Sequence, residues 1–491
     1  MDRTDYPALS AEMVRNLWRI VMSRYRLVLV LLLTASSFNC RSNELPQEPR
    51  LKKAFREPVK NGWIYVHLEG KPEEIGFQHG SLMANEISEM QKVIALELTH
   101  DTMKSWGFFQ EVAKVELWPK IEKEYQEELQ GIIAGMKEQG ISLGLWDLVV
   151  MNAALELNPY FVNWEEKNRG AGSIDHVLPT ADRCSAFVAT GSYTRDGKVM
   201  ISHNNWSSYL EGARWNIIFD IVPTRGHHIL MDGIAGFIHS ADDFGINSRG
   251  VMITETTITR FQGWDPDGVP EFVRARKAMQ YSASIDDFVR IMMEGNNGGY
   301  ANNWLLADRK VNEIASLELG LRHVSLRRTG DGYFSGANFP VNERLLREET
   351  TFDSNDNSQS ATARRIRWEQ LMEGNKGKID LAAGQRFLAD HFDTFEGRIH
   401  PNERTLCGHI DLSPRGSLPW QPPFGPAGAV QAKITDSTLA EQMTILAATG
   451  HPCGMRFRAA EHLAAHPEFD WQKPLLRDLD SFPWTPFSAT Q

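Results

Sequence analysis

The run Gly62-Trp-Ile-Tyr-Val-His-Leu68 reads as a strand, and directly after it the spacing of apolar residues lengthens. Ile75, Met83, Ile87 and Met90 recur at roughly helical intervals behind the opening Lys71-Pro-Glu-Glu74, which predicts one helix over residues 72–98. Gly76-Phe-Gln-His79-Gly80 interrupts it near its start. A histidine between glycines suits a close helix contact better than a catalytic role. Two more helices are expected over 109–138 and 145–157, so the chain is mainly helical to about residue 160. From residue 184 the pattern becomes short apolar runs, 185–190, 198–203, 215–222, 228–231 and 251–256, parted by turns such as Asp196-Gly197 and Arg249-Gly250. These predict one largely antiparallel sheet system. Helices are expected over 270–281 and 285–294, strands over 302–307, 313–318 and 323–326, and helices over 361–372 and 381–390. The proline-rich crossing Pro419-Trp-Gln-Pro-Pro-Phe-Gly-Pro426 leads to a C-terminal part with a helix near 455–466.

The N-terminus obeys a different logic. Arg19, Arg24 and Arg26 precede the apolar run Leu27-Val-Leu-Val-Leu-Leu-Leu33 and the small residues Thr34-Ala-Ser-Ser37, the pattern of an export signal. The run is too short for a spanning helix. Cys40, just beyond it, is a candidate for lipidation and so for membrane attachment. The expected organisation is a signal or lipoprotein signal over 1–40, a mainly helical segment over 41–183, and a catalytic region with a C-terminal extension over 184–491. The expected location is periplasmic, cell-surface or secreted.

Charge narrows the partners. The chain of 491 residues carries a formal net charge of −11 and has no basic run in its folded part, which argues against nucleic acid and against an anionic membrane surface. A neutral, zwitterionic or cationic small molecule fits better. Nothing in the sequence sets the oligomeric state. Beyond Cys40, an exported chain with Cys184, Cys407 and Cys453 has room for one disulfide, and pairing Cys407 with Cys453 leaves Cys184 outside it. The rival arrangement is a zinc site from Cys407-Gly408-His409 and His451-Pro452-Cys453. The one-residue gaps are tighter than in zinc fingers, and neither metal nor organic cofactor is expected.

Cys184 stands between a breaker-rich loop, Asn168-Arg-Gly-Ala-Gly172 with Pro179, and the apolar run after it. A thiol at the head of a strand, behind a loop open to cutting, suits an N-terminal nucleophile whose freed α-amine serves as its base. The alternative is a small buried hydrophobe. Ser202-His203-Asn204-Asn205-Trp206 ends the next strand and folds back beside Cys184 in a hairpin. Asn302-Asn303-Trp304 enters a later strand, where alternation lets at most one asparagine face any one site. Ser240-Ala-Asp242-Asp243 and Thr254-Glu255-Thr256-Thr257 form a further polar group suited to lining a pocket. Asparagine amides suit donation to an oxyanion, or the satisfaction of turn backbone. No P-loop, GxGxxG, HExxH, GxSxG or EF-hand loop is present.

Taken in order, Cys184-Ser-Ala-Phe-Val-Ala-Thr-Gly191, His203-Asn-Asn-Trp206, Ser240-Ala-Asp-Asp-Phe244 with Glu255-Thr-Thr-Ile258, and Asn302-Asn-Trp-Leu-Leu-Ala-Asp308 form a series that resembles the phospholipase B-like proteins. More broadly it resembles the penicillin acyltransferase-type branch of cysteine N-terminal-nucleophile hydrolases. The resemblance covers most of residues 62–340. It implies an α+β fold, a four-layer αββα sandwich of mainly antiparallel sheets, with a helical segment before it. It also implies self-cleavage between Arg183 and Cys184, and hydrolysis of an amide or ester of a small acylated substrate, a lipid or an N-acyl amide, through an acyl-enzyme on Cys184. His203 and Asn204 match the family's His-Asn-x-Trp motif, and Asn302 and Asn303 its paired asparagines. Asn205 stands where the family has a small hydroxyl residue. The implied catalytic set is therefore Cys184, His203, Asn204, Asn302 and Asn303, and the alternative is a non-catalytic surface or periplasmic binding protein on the same scaffold.

Overall fold

Two β-sheets face each other across an apolar layer, and each carries helices on its outer side. The computed structural model describes residues 48–169, 184–241, 244–418 and 420–490. The expected signal over 1–40 with Cys40, the expected cleavage position at Arg183, Asp242-Asp243 and Pro419 lie outside the described residues. The chain divides into a unit over residues 1–52 and another over residues 53–491. In the first, Glu48 accepts a hydrogen bond from the Arg50 backbone N–H at the head of a 3-10 turn, Pro49–Leu51.

In the second unit, nine strands form one sheet. Their order is Phe55–Arg56, Ile64–Gly70, Ile217–Pro223, Ile229–Gly233, Phe244–Asn247, Val251–Thr257, Asn302–Asp308, Glu313–Leu319, Val324–Thr329. Six form the other, ordered Gly332–Gly336, Cys184–Thr190, Met200–Ser208, Ala427–Asp436, Thr444–Thr449, Thr485–Ser488. Among the strands of these two sheets in the described residues, only Ile64–Gly70 with Ile217–Pro223 pairs in parallel. Alternation along the strands builds the layers. Ala186, Val188 and Ile201 of the smaller sheet meet Ile218, Leu230, Met252 and Leu305 of the larger. Phe187, Ala189 and Met200 point the other way, onto Trp368, Met372 and Phe387 of the helices Ser360–Gly374 and Leu381–Leu388. The far face of the larger sheet, with Val66, Phe219, Ile253 and Leu306, packs on Ile87, Ile132 and Leu148 of the N-terminal helices. The four-layer order αββα follows from these three interfaces. Both faces of each central strand are covered, which is why Cys184–Thr190 reads as an unbroken apolar run.

Several expected elements take a different form. The single helix over 72–98 is two, Pro72–Leu82 and Ala84–Thr102, parted where Met83 leaves the helical region. The helix over 109–138 is broken at Trp118-Pro119, because proline cannot donate to the ladder, and resumes as Lys123–Glu138. The one expected sheet system is two sheets. Ile64–Gly70, the strand expected in the mainly helical segment before residue 184, sits in the larger sheet.

His79 is the contact residue that its glycine neighbours suggest. An added Cβ on Gly76 would lie 1.9 Å from the Glu128 carbonyl oxygen, on Gly80 2.0 Å from that of Ile132, and on Gly135 2.1 Å from that of Phe77. The two helices therefore touch backbone to backbone. His79 Nε2 accepts the Gly236 N–H at 3.0 Å, and burial holds its pKa down at about 3, so the ring is neutral. Among the described residues no helix is long and apolar enough to cross a membrane.

Candidate active site

Cys184 opens its strand, buried, with its side chain on the face that Ala186 and Val188 share, toward the larger sheet. The hairpin expected from the sequence is present: Cys184 lies opposite Asn205, Ser185 opposite Asn204 and Ala186 opposite His203. Opposite residues share a face. His203 and Asn205 therefore project with Cys184 into the space between the sheets, and Asn204 projects away. Its amide nitrogen donates to the carbonyl oxygens of Leu388 at 3.0 Å and Leu406 at 2.8 Å, on the outer side of the smaller sheet. Asn204 therefore faces away from the thiol, and its neighbour Asn205 takes the place beside it. Neither amide atom of Asn205 has a hydrogen-bond partner among the described residues.

Sulfur, imidazole and carboxylate converge. The ligating atoms of Cys184, His203 and Glu255 all lie within 4.8 Å of one another, and all three residues are buried. Burial first, and then the Lys433 ammonium, hold the His203 pKa well below the ordinary histidine range, so its ring is neutral. Lys433 is itself neutralised by Asp232 of the facing sheet at 3.0 Å, where the Gln431 amide also donates at 2.9 Å. Glu255 accepts from the Tyr300 hydroxyl at 3.2 Å. The three donors would also suit a metal.

Two residues hold the backbone of Cys184, and sequence reasoning named neither. Asn338 Oδ1 accepts the Cys184 N–H at 3.2 Å and an Arg364 guanidinium N–H at 2.8 Å, while its Nδ2 donates to the Thr257 carbonyl at 2.8 Å. Three partners of fixed polarity leave its amide one orientation. Arg364 donates to the Cys184 carbonyl and to Ser185 Oγ, and stacks at 4.3 Å over the Trp206 ring. Asn338 takes a left-handed conformation, φ 64°, which asparagine tolerates better than most residues.

Alternation also separates the paired asparagines. Leu305 and Ala307 face the inter-sheet layer and Trp304 and Leu306 face the helices, so Asn303 shares the inter-sheet face and Asn302 the other. Asn303 Oδ1 accepts from Ser316 at 2.8 Å. Asn302 is buried with neither amide atom partnered among the described residues, at the strand end beside Thr257.

A cavity of about 640 Å³ opens next to this constellation, bounded by Ser208, Thr257, Tyr300, Tyr160, Trp420 and Trp471 among others. Three of its wall residues connect to the site: the Thr257 carbonyl accepts from Asn338, which holds the Cys184 nitrogen, Tyr300 donates to Glu255, and Ser208 ends the strand that carries Asn205. Its wall also bears the carboxylates of Glu97, Asp101 and Glu468, which favours a ligand with an apolar body and a neutral or cationic end.

Residues 80–325 match the model of a family described as phospholipase B. Human phospholipase B-like 1 is 23% identical over 364 residues, which cover 66% of this chain and 62% of that one. Phospholipase B-like protein F of Dictyostelium discoideum is 32% identical over 149 residues, 28% of this chain and 26% of its own. The chain spans about half the length of the curated relatives it matches. Among solved structures, penicillin V acylase from Agrobacterium tumefaciens covers 54% of this chain and 83% of its own at 11% identity and a TM-score of 0.32.

Proposed function

Because this chain belongs to the phospholipase B family, we propose that it is an acyl hydrolase with Cys184 as its nucleophile, freed as an N-terminus by cleavage after Arg183. The observation that carries the proposal is the position of the Cys184 nitrogen. It donates to Asn338 Oδ1, while the sulfur lies beside His203 and Glu255, and Glu255 accepts from Tyr300, which lines the neighbouring cavity. An α-amine in that place has the acceptor it needs to be held against its own side chain, and it takes the thiol proton as the sulfur attacks the substrate carbonyl. The oxyanion meets the Asn205 amide, the carbon–oxygen or carbon–nitrogen bond breaks, and the leaving alcohol or amine takes the proton. Water then cleaves the thioester and the acid departs. His203, neutral, is a polar wall rather than the base. Export of the chain, and anchoring through a lipidated Cys40, belong to the same proposal and rest on residues 19–40 of the sequence.

The test uses the full chain. Intact mass should give two fragments split before Cys184, and 2-cyanobenzothiazole, which condenses with an N-terminal aminothiol, should label the larger. Cys184→Ala should remain one chain, unlabelled and inactive on acyl esters and N-acyl amides. A wild-type chain that stays uncleaved at acidic and neutral pH and hydrolyses neither substrate class overturns the proposal in favour of a binding protein on this scaffold.

A further inference from the structure

The outer face of the smaller sheet, behind Asn204 and Trp206, is covered by chain with little regular structure. Between the helix Leu381–Leu388 and the strand Ala427–Asp436 there are only a two-residue hairpin, Phe392–Asp393 with Arg398–Ile399, and the 3-10 turn Ile410–Leu412 among the described residues. Loops of this length inside a domain need something to hold them. Four side chains from three parts of this region meet: His391 after the helix, Cys407 and His409 before the turn, and Cys453 beyond the strand Thr444–Thr449. Their ligating atoms all lie within 4.8 Å of one another, and Cys407 and His409 are fully enclosed.

The distances within the group are those of a coordination shell. His409 Nε2 lies 3.2 Å from His391 Nε2, 3.5 Å from Cys407 Sγ and 3.5 Å from Cys453 Sγ. One ring nitrogen carries either a proton or an in-plane lone pair, so it makes one hydrogen bond and not three. With zinc–sulfur bonds of about 2.3 Å and zinc–nitrogen bonds of about 2.05 Å, a tetrahedron has mixed edges near 3.5 Å and a nitrogen–nitrogen edge near 3.3 Å. The three distances match those edges. Two thiolates and two neutral imidazoles balance a divalent ion, so the buried group carries no net charge. Around it, Asp411 lies 3.9 Å from the other ring nitrogen of His409, and the Tyr209 hydroxyl donates to Asp411 at 2.8 Å. None of the three described cysteines is in a disulfide.

We infer that His391, Cys407, His409 and Cys453 form a closed structural zinc site. It differs from the sequence-derived set in one ligand. His451 lies tilted against His409, ring centroids 4.3 Å apart, and turns its Nε2 toward the Tyr209 hydroxyl at 3.3 Å, and His391 takes the fourth place. The site braces the wall behind the nucleophile. Gly408, between two ligands, lies so close to Trp206 that an added Cβ would fall 2.2 Å from the ring, and the same ring carries the Arg364 guanidinium that reaches Cys184.

Full-length protein purified from zinc-supplemented cells without chelator should hold about one zinc per chain by elemental analysis. Cobalt substitution should give thiolate-to-metal charge-transfer bands and the visible bands of a tetrahedral ion. Cys453→Ser and His391→Ala should each cut zinc content to below about a tenth, while His451→Ala and Cys184→Ala keep it. Zinc-free protein with the Cys407 and Cys453 peptides joined on non-reducing mapping overturns the inference, as does zinc-free protein with both thiols open to labelling. Zinc lost with His451→Ala and kept with His391→Ala, or lost with Cys184→Ala and kept with Cys453→Ser, overturns the ligand assignment.

Discussion

Asn204 and Asn205 are neighbours in the chain and lie on opposite faces of one strand, and this divides their work. Asn205→Ala should leave the fold intact and lower turnover of an acyl substrate by roughly 10² to 10³, the effect of removing one oxyanion donor. Asn204→Ala should instead lower stability by about 1–3 kcal/mol, since the buried Leu388 carbonyl loses its donor, and leave turnover per folded chain within a few-fold. Urea unfolding and steady-state kinetics on the two variants separate these outcomes, and equal losses of turnover would place the oxyanion elsewhere. The motif His203-Asn204-Asn205-Trp206 was legible as a polar strand end that folds back beside Cys184, but a motif carries no facing. Only the register against Cys184 assigns it. Asn338 and Arg364 were beyond reach for another reason. Arg364 lies within a stretch correctly read as helical, 180 positions from the carbonyl it binds, and no local pattern marks that contact. Glu255 was legible only as part of a polar group on a strand.

At the scale of elements, the helix pair Pro72–Leu82 and Lys123–Glu138 rests on Gly76, Gly80, Gly131 and Gly135. Gly76→Ala puts a methyl group inside the contact radius of the Glu128 carbonyl, which is backbone and cannot swing aside, so the helices must part. We expect a loss of roughly 3 kcal/mol, at the upper end for an overpacked interior. Gly374→Ala is the matched control: it meets nothing within 4 Å, and its stability should stay within about 0.5 kcal/mol. Thermal unfolding of both variants decides this, and equal midpoints would mean that the helices have room to accept a methyl group. The same helices show what periodicity conveys. It marked their existence, while the glycines beside His79 marked the close contact, and it missed the break at Met83, where the apolar spacing continues while the backbone turns. The strand Ala427–Asp436 went unread because Ala427, Gly428, Ala429 and Ala432 have little preference for strands. Small residues are needed there because the strand is central and crowded on both faces, with Trp206 and Cys407 packed on Ala427 and Ala429.

At the scale of the molecule, the sandwich was legible only through the ordered motifs. The apolar runs predict strands without saying that two sheets share them, or that Ile64–Gly70, from the mainly helical segment, joins the larger sheet. That four-layer enclosure sets how the whole protein answers to acid, because it buries histidines without letting them charge. His79 accepts the Gly236 N–H through Nε2 and faces Arg276, which is paired with Glu128 at 3.0 Å. Burial first, and Arg276 second, hold its folded pKa at about 3 against 6.5 in the unfolded chain. The unfolded state therefore binds the extra proton first. The stability that His79 contributes is complete above pH 6.5, falls as pH drops below that value, and stops falling near pH 3. At pH 5 the loss is about 2 kcal/mol relative to pH 8. His239, held at about 4 by burial, adds in the same direction, while the buried carboxylates Glu128 and Asp232, pushed up by burial, work against it. A comparison isolates the histidine, since the other groups are common to both proteins. His79→Gln keeps an acceptor for Gly236 and does not titrate, so its midpoint of unfolding should fall less steeply between pH 7.5 and 5 than that of the wild type. The gap at pH 5 should be worth about 2 kcal/mol after subtraction of any difference at pH 7.5. Parallel curves would mean that the His79 ring is protonated in the folded chain, with the Gly236 N–H held by another acceptor.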